Sequence, residues 1–170
     1  MPTPNEELLE RFYGAFARRD GAAMEACYTP DVHFSDPVFT DLHGPEAGAM
    51  WRMLTGRAKD LEVVLLEREA GDERGSAHWR ATYTYTQTGR PVVNDVRGTF
   101  RFADGRIAEH EDTFGFHRWA RQALGTPGLL LGWTPMLRST VRRRAREALD
   151  EFMADEGDRP PQPLPTTPDV

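Results

Sequence analysis

The sequence predicts an α+β fold in which a bent antiparallel sheet packs on N-terminal helices and an extra helical segment follows at the C-terminal end. Three observations predict it. Leu8, Leu9, Phe12, Tyr13 and Phe16 recur at helical spacing near the start. Three successive runs between Trp79 and Phe116 then alternate apolar and polar residues with period two, as strands with one covered face do. Beyond them, Leu137, Val141, Ala145, Leu149 and Phe152 form a second helical stripe.

The elements follow in order. Thr3 can cap the first helix, Pro4 suits its first position, and Glu6 can close a capping box. Asp20-Gly21 ends that helix and starts a shorter one through Met24 and Tyr28. Thr29-Pro30-Asp31 reads as a breaker. Val32 to Asp36 is a short strand stopped by Pro37, which has no N–H for a ladder. Gly44-Pro45-Glu46 opens a third helix carrying Met50, Trp51, Met53 and Leu54. Leu61 to Glu69 is strand-like, and residues 71–75 form a turn. The alternating runs come next, with Ala103-Asp104-Gly105-Arg106 as a hairpin turn between the last two. Arg118 to Leu124 looks helical, Gly125-Thr126-Pro127-Gly128 breaks it, and Leu129 to Trp133 forms an apolar link before the helix that Pro135 starts. From Asp155 the chain turns proline-rich, a composition that cannot bury a core, so disorder is expected over 155–170.

Composition narrows the function. The net charge is −6, which argues against nucleic acid as a partner. Seven arginines and no acid lie between Arg118 and Arg146, so the remainder is strongly acidic. The single cysteine, Cys27, excludes an intrachain disulfide. The first residues have neither a basic nor an apolar signal region, and the longest apolar run is too short to span a bilayer. A soluble cytoplasmic protein is therefore expected, with no membrane partner. The five histidines, His33, His43, His78, His110 and His117, are scattered over different elements, and no metal or cofactor is expected.

Three polar residues stand out as candidate catalytic groups. Asp36 shares a face with Val32 and Phe34. An acid there, among Phe, Trp and Met, would be raised in pKa and could act as a base; the alternative is a strand-end Asp bonding the turn after Pro37. His110 and Asp112 share the inward face of the last strand with Ala108, Phe114 and Phe116. They are either the polar floor of a pocket or a satisfied core pair holding that strand. Phe16, Trp51, Trp79, Tyr83, Phe100 and Phe114 are the candidate substrate-binding lining, against the reading that such aromatics are plain core.

Three stretches carry a resemblance: Glu10-Arg11-Phe12-Tyr13-Gly14-Ala15-Phe16; His33-Phe34-Ser35-Asp36-Pro37-Val38; and Thr99-Phe100-Arg101-Phe102 running into Gly105-Arg106-Ile107-Ala108-Glu109-His110. On these the chain resembles the nuclear transport factor 2-like superfamily, within it the steroid Δ-isomerases and the SnoaL-like polyketide cyclases. The resemblance implies a cone-shaped α+β roll of the cystatin-like kind over 1–117, with 118–154 as a helical extension packed on it. It implies that Asp36 is the proton-moving base and that Asp112 is similar to the acid–base aspartate of the cyclases. It also shows departures. The isomerases' two oxyanion donors fall on Phe12 and Gly98, which have no side-chain donor, so steroid isomerisation is not implied. Arg97 and Asp95 lie on the outward face, so the Asp-Arg-Asp set of the limonene-epoxide hydrolases does not carry over.

The function expected from the sequence is an acid–base isomerase, cyclase or dehydratase acting beside a carbonyl or enol of an apolar small molecule. The alternative is a non-catalytic binding protein for such a molecule. A homodimer is expected. The apolar residues of the extension are expected to pack as a lid on the pocket mouth, with a dimer contact and then a membrane surface as the lesser readings.

Overall fold

A computed structural model describes residues 1–158. Helix α1 (Pro4–Ala17) starts with the expected capping box: the Thr3 hydroxyl oxygen accepts from the Glu6 N–H, and the Glu6 carboxylate accepts from the Thr3 N–H. The Thr3 hydroxyl also donates to the Ala70 carbonyl at 2.9 Å, fixing the helix start to the sheet. Helix α2 (Gly21–Ala26) is capped by Asp20, whose carboxylate accepts from the Ala23 N–H. Strand β1 (Tyr28–Ser35) and the two-residue β2 (Leu42–His43) lead into α3 (Pro45–Arg57). The long strands β3 (Glu62–Ala70), β4 (Arg74–Tyr85), β5 (Arg90–Ala103) and β6 (Arg106–Thr113) complete a six-stranded sheet ordered β2-β1-β6-β5-β4-β3.

The sheet is curved, unclosed and mixed. Every pairing is antiparallel except β1 with β6, which run parallel. The parallel pair departs from an all-antiparallel sheet, and chain order explains it: β1 precedes the meander and is led to its far edge by helices. Strand β1 also begins earlier than expected, running through Pro30. The β1–β6 register shifts between Tyr28 and His33, so the missing proline donor falls where the ladder is interrupted.

Apolar side chains of α1, α3 and the concave sheet face form one core, with Leu9, Phe12, Phe34, Met50 and Ile107 fully buried. Burying each such side chain contributes roughly 1.5–3 kcal/mol. A second cluster joins Val92 of β5 to Phe116, Trp119, Ala120 and Ala123. It is built by α4 (Phe116–Leu124), on the outer end of the sheet.

The extension differs from expectation in three ways. Gly125-Thr126-Pro127-Gly128 is not only a break: Thr126 and Pro127 open a short helix, α5 (Thr126–Leu131), with the proline in its first turn where no N–H is needed. Gly128 lets α5 touch α4, since a Cβ there would sit 1.9 Å from the Ala120 carbonyl oxygen. Helix α6 (Pro135–Asp158) continues past Asp155, where the tail was expected to start, because Glu156 pairs with Arg52 of α3. The rest of the tail, 159–170, lies outside the described residues. Finally, Leu129, Leu130, Leu131, Trp133 and Met136 stay exposed, Trp133 at 70% and Met136 at 79%. The apolar surface of this segment is therefore only partly covered among the described residues, because α5 has six residues and packs mainly on α4. No helix among the described residues is long and apolar enough to cross a membrane.

Candidate active site

A cavity of about 310 Å³ opens between the concave sheet face, α3, the loop after β1 and α6. That volume lies at the small end of ligand pockets. Asp36, Asp112, Phe16, Trp51, Trp79, Tyr83 and Phe114 line it. His110 and Phe100 do not. His110 stands behind Asp112, and Phe100 packs on the His110 ring with centroids 4.4 Å apart.

Asp36 follows the last residue of β1. Its Oδ1 accepts the backbone N–H of Val38 at 2.7 Å and of Phe39 at 2.6 Å, and its own N–H donates to the Phe39 carbonyl at 2.8 Å. The turn-bonding and pocket-facing readings of this residue thus hold together: one oxygen closes the turn, while the carboxyl remains part of the cavity wall. Desolvation by the surrounding protein pushes its pKa from 3.8 up to about 7. The two backbone N–H groups oppose that rise, the charge of Asp112 adds to it, and Arg142 works against it. Asp36 is half-buried because its remaining open surface belongs to the cavity.

Asp112 has a different environment. It is 3% exposed and His110 is 1% exposed. The Trp51 Nε1–H donates to the Tyr28 hydroxyl oxygen at 2.7 Å. Indole can only donate, so the Tyr28 proton goes to His110 Nδ1, 2.8 Å away. The remaining ring proton, on Nε2, then donates to Asp112 Oδ1 at 2.9 Å. Phe12, Phe34, Phe100 and Trp51 surround the imidazole. Burial holds the Tyr28 hydroxyl protonated, far above its usual range. Gly98 stands directly opposite Asp112 in the β5–β6 register, and a Cβ at Gly98 would lie 2.8 Å from Asp112 Oδ1. The residue that lacks a donor is the one that makes room for this carboxylate.

Two features escape a reading of residues one element at a time. Tyr28 orders the His110 ring, but it sits beside Pro30 in a stretch that looks like a helix end and breaker. Trp119, in α4, donates its Nε1–H to the Tyr83 hydroxyl oxygen at 2.9 Å and so reaches into the lining from the extension. Burial raises the Tyr83 pKa to about 12, partly opposed by the Trp119 hydrogen bond, and the Asp36 charge is felt there too. The period-two run marks Tyr83 as inward; nothing in the sequence pairs it with Trp119.

Helix α6 forms the remaining wall. Leu137, Val141, Ala145 and Ala148 face the cavity, with Thr140 and Arg144 beside them. Arg142 Nε–H donates to the Pro37 carbonyl at 3.0 Å, and Arg146 pairs with Glu46 at 2.5 Å. The first of these contacts ties α6 to the loop that holds Asp36.

Comparison with known proteins agrees with the fold. The sequence profile of the SnoaL-like domain matches residues 9–110, and the chain belongs to this family, within the nuclear transport factor 2-like superfamily. Among solved structures, it is similar to an NTF2-like protein of unknown function from Burkholderia pseudomallei K96243. The TM-score is 0.62 at 22% identity, covering 71% of this chain and 98% of that one. It is also similar to a putative polyketide cyclase from Xanthomonas campestris pv. campestris, with TM-score 0.59 at 22% identity over 70% and 96% of the two chains. A putative SnoaL-like polyketide cyclase from Jannaschia sp. CCS1 gives 0.63 at 17% identity, over 73% and 93%. At these identities the likeness is one of fold. No curated protein sequence matches the chain.

Proposed function

We propose that the protein is an acid–base enzyme that moves a proton beside the carbonyl or enol of a small, largely apolar substrate, in an isomerisation, cyclisation or dehydration. The observation that carries this reading is Asp36, a carboxyl in an apolar cavity with a pKa of about 7, where a base can both take and return a proton at neutral pH.

The residues divide the work as follows. Asp36 takes a proton from the carbon next to the substrate carbonyl. The C–H electron pair forms a C=C bond, and negative charge builds on the carbonyl oxygen. Tyr83 supplies a hydrogen bond to that oxygen. Its own oxygen is already occupied by the Trp119 N–H, and its high pKa keeps the phenol proton in place. This donor stands in for the two that Phe12 and Gly98 lack. Asp36 then returns the proton at a second carbon. Beside Asp36, on β6, the Asp112 carboxylate, held by the His110 and Tyr28 relay, orients the substrate. The α6 wall restricts water.

The absence of side-chain donors at Phe12 and Gly98 favours one second reading, a protein that binds such a molecule without turning it over. Deuterium exchange into a bound cyclic enone, followed by NMR, separates the two. The enzyme reading requires exchange by the wild type and none above background by Asp36→Asn. Tight binding without exchange in the wild type contradicts it.

A further inference from the structure

Away from the cavity, the pairing of β1 with β2 sets His33 directly opposite His43. Their rings stack with centroids 4.7 Å apart and planes 28° from parallel. Asp41, just before β2, has a left-handed backbone with φ of 58°, a conformation that Asp tolerates better than most residues. That turn brings its Oδ1 to 2.9 Å from His33 Nε2 and 3.1 Å from His43 Nε2. One possible ligand atom from each of the three residues lies within 4.8 Å of the other two.

We propose that His33, Asp41 and His43 form a binding site for one divalent transition-metal ion of borderline softness, Zn²⁺ foremost, with Ni²⁺ or Cu²⁺ as congeners. Two imidazole nitrogens and one carboxylate oxygen suit these ions. Calcium and magnesium demand several oxygen ligands, and only one carboxylate is offered. The geometry is close to what the ion requires. With ligand bonds of about 2.0–2.1 Å, the edges of a tetrahedron measure about 3.3 Å, and the two nitrogen–oxygen edges here fall within a few tenths of an ångström of that. Binding needs the Nε2 protons to move to Nδ1 or leave, and both side chains are open enough to solvent for that exchange. All three side chains are exposed enough for water to complete the coordination. Glu46 is not part of the set, since its Oε2 accepts the His43 backbone N–H and its Oε1 pairs with Arg146.

The site also has a structural consequence. The loop from Asp36 to Asp41 is fixed at its first end by the Asp36 turn and at its last end by these histidines. A bound ion would replace two hydrogen bonds at that last end with three coordinate bonds, tying β1, the loop and β2 together. The inference stands whether or not Asp36 is a base.

Titration calorimetry of the full chain without a histidine tag, after chelator treatment and its removal, tests it. Zn²⁺ should bind at one ion per chain and raise the melting temperature, while Ca²⁺ and Mg²⁺ should do neither. His33→Ala and His43→Ala should each weaken binding about tenfold or more, since even outer partners of metal sites are worth that much. The double variant H33A/H43A should lose the site. Asp41→Asn, which keeps a residue able to hold the left-handed turn, should also weaken it, so a folding defect is not the only readout. Circular dichroism equal to wild type verifies that each variant is folded. The proposal is overturned if the wild type shows no saturable zinc binding, if H33A/H43A binds zinc as tightly as the wild type, or if Ca²⁺ binds equally well.

Discussion

Two neighbouring carboxylates face the cavity, one just after β1 and one on β6, and the two are held in opposite ways. Asp36 lies at a strand end, is anchored through one oxygen by two backbone N–H groups, and is tuned by desolvation to about 7. Asp112 lies mid-sheet, is buried, and is held by a side-chain relay of His110, Tyr28 and Trp51. Backbone anchoring leaves a carboxyl in place in either protonation state. A side-chain relay fixes geometry at the cost of a buried polar network that must remain complete. In the proposed function, Asp36 accordingly moves the proton and Asp112 is the fixed polar group beside it.

Removing the titrating group should have the largest effect. Asp36→Asn is expected to lower proton exchange by about 10²–10⁴-fold, the usual contribution of a general base. An unchanged rate would move the base elsewhere. Tyr83→Phe removes the proposed donor to the developing oxyanion and should cost about 10²–10³-fold in kcat with little change in substrate affinity. A loss confined to affinity would make Tyr83 a binding residue only.

The relay should behave differently. His110→Ala leaves the buried Asp112 carboxylate without its His110 donor and the buried Tyr28 O–H without its acceptor, so it should destabilise the fold by about 1–3 kcal/mol for each lost partner. Chemical denaturation measures this. A stability equal to wild type would show that the relay is not structural.

The pH dependence sharpens the same contrast. Asp36 is raised in the folded state from 3.8 to about 7, so the folded protein binds the extra proton between those values. Stability is then fully present below about pH 4, falls as pH rises towards 7, and is level above it. Asp36→Asn removes that loss. It should be more stable than wild type at pH 8 by about 1–4 kcal/mol and gain nothing at pH 4. A variant less stable at both pH values would mean that the carboxylate is stabilising where it stands.

Part of this was legible in the sequence because part of it is local. The capping box at Thr3 and Glu6, the alternating strands and the stripe of α6 depend on neighbours within a few residues, and the family resemblance gave the order in which they pack. Asp36 and Asp112 could be placed on inward faces because strand periodicity assigns a face. What periodicity cannot assign is which distant side chain meets which. Tyr28 reaches His110 only through the parallel β1–β6 pair, Trp119 reaches Tyr83 only through the placement of α4, and His33 meets His43 only through β2, a strand of two residues. Leu129 to Leu131 looked as though they must be covered, because apolar composition states a need for burial without showing whether the same chain meets it.

The proposed chemistry depends most on Asp36 being a carboxyl that titrates near neutrality inside the cavity. Carbon-13 NMR of protein labelled at aspartate carboxyls, followed from pH 3 to pH 9, tests this without any substrate. One carboxyl should titrate near pH 7, and its resonance should be missing from Asp36→Asn. If the Asp36 carboxyl instead titrates in the ordinary range near 4, the cavity does not hold a base tuned for neutral pH, and the division of labour between the two carboxylates is wrong.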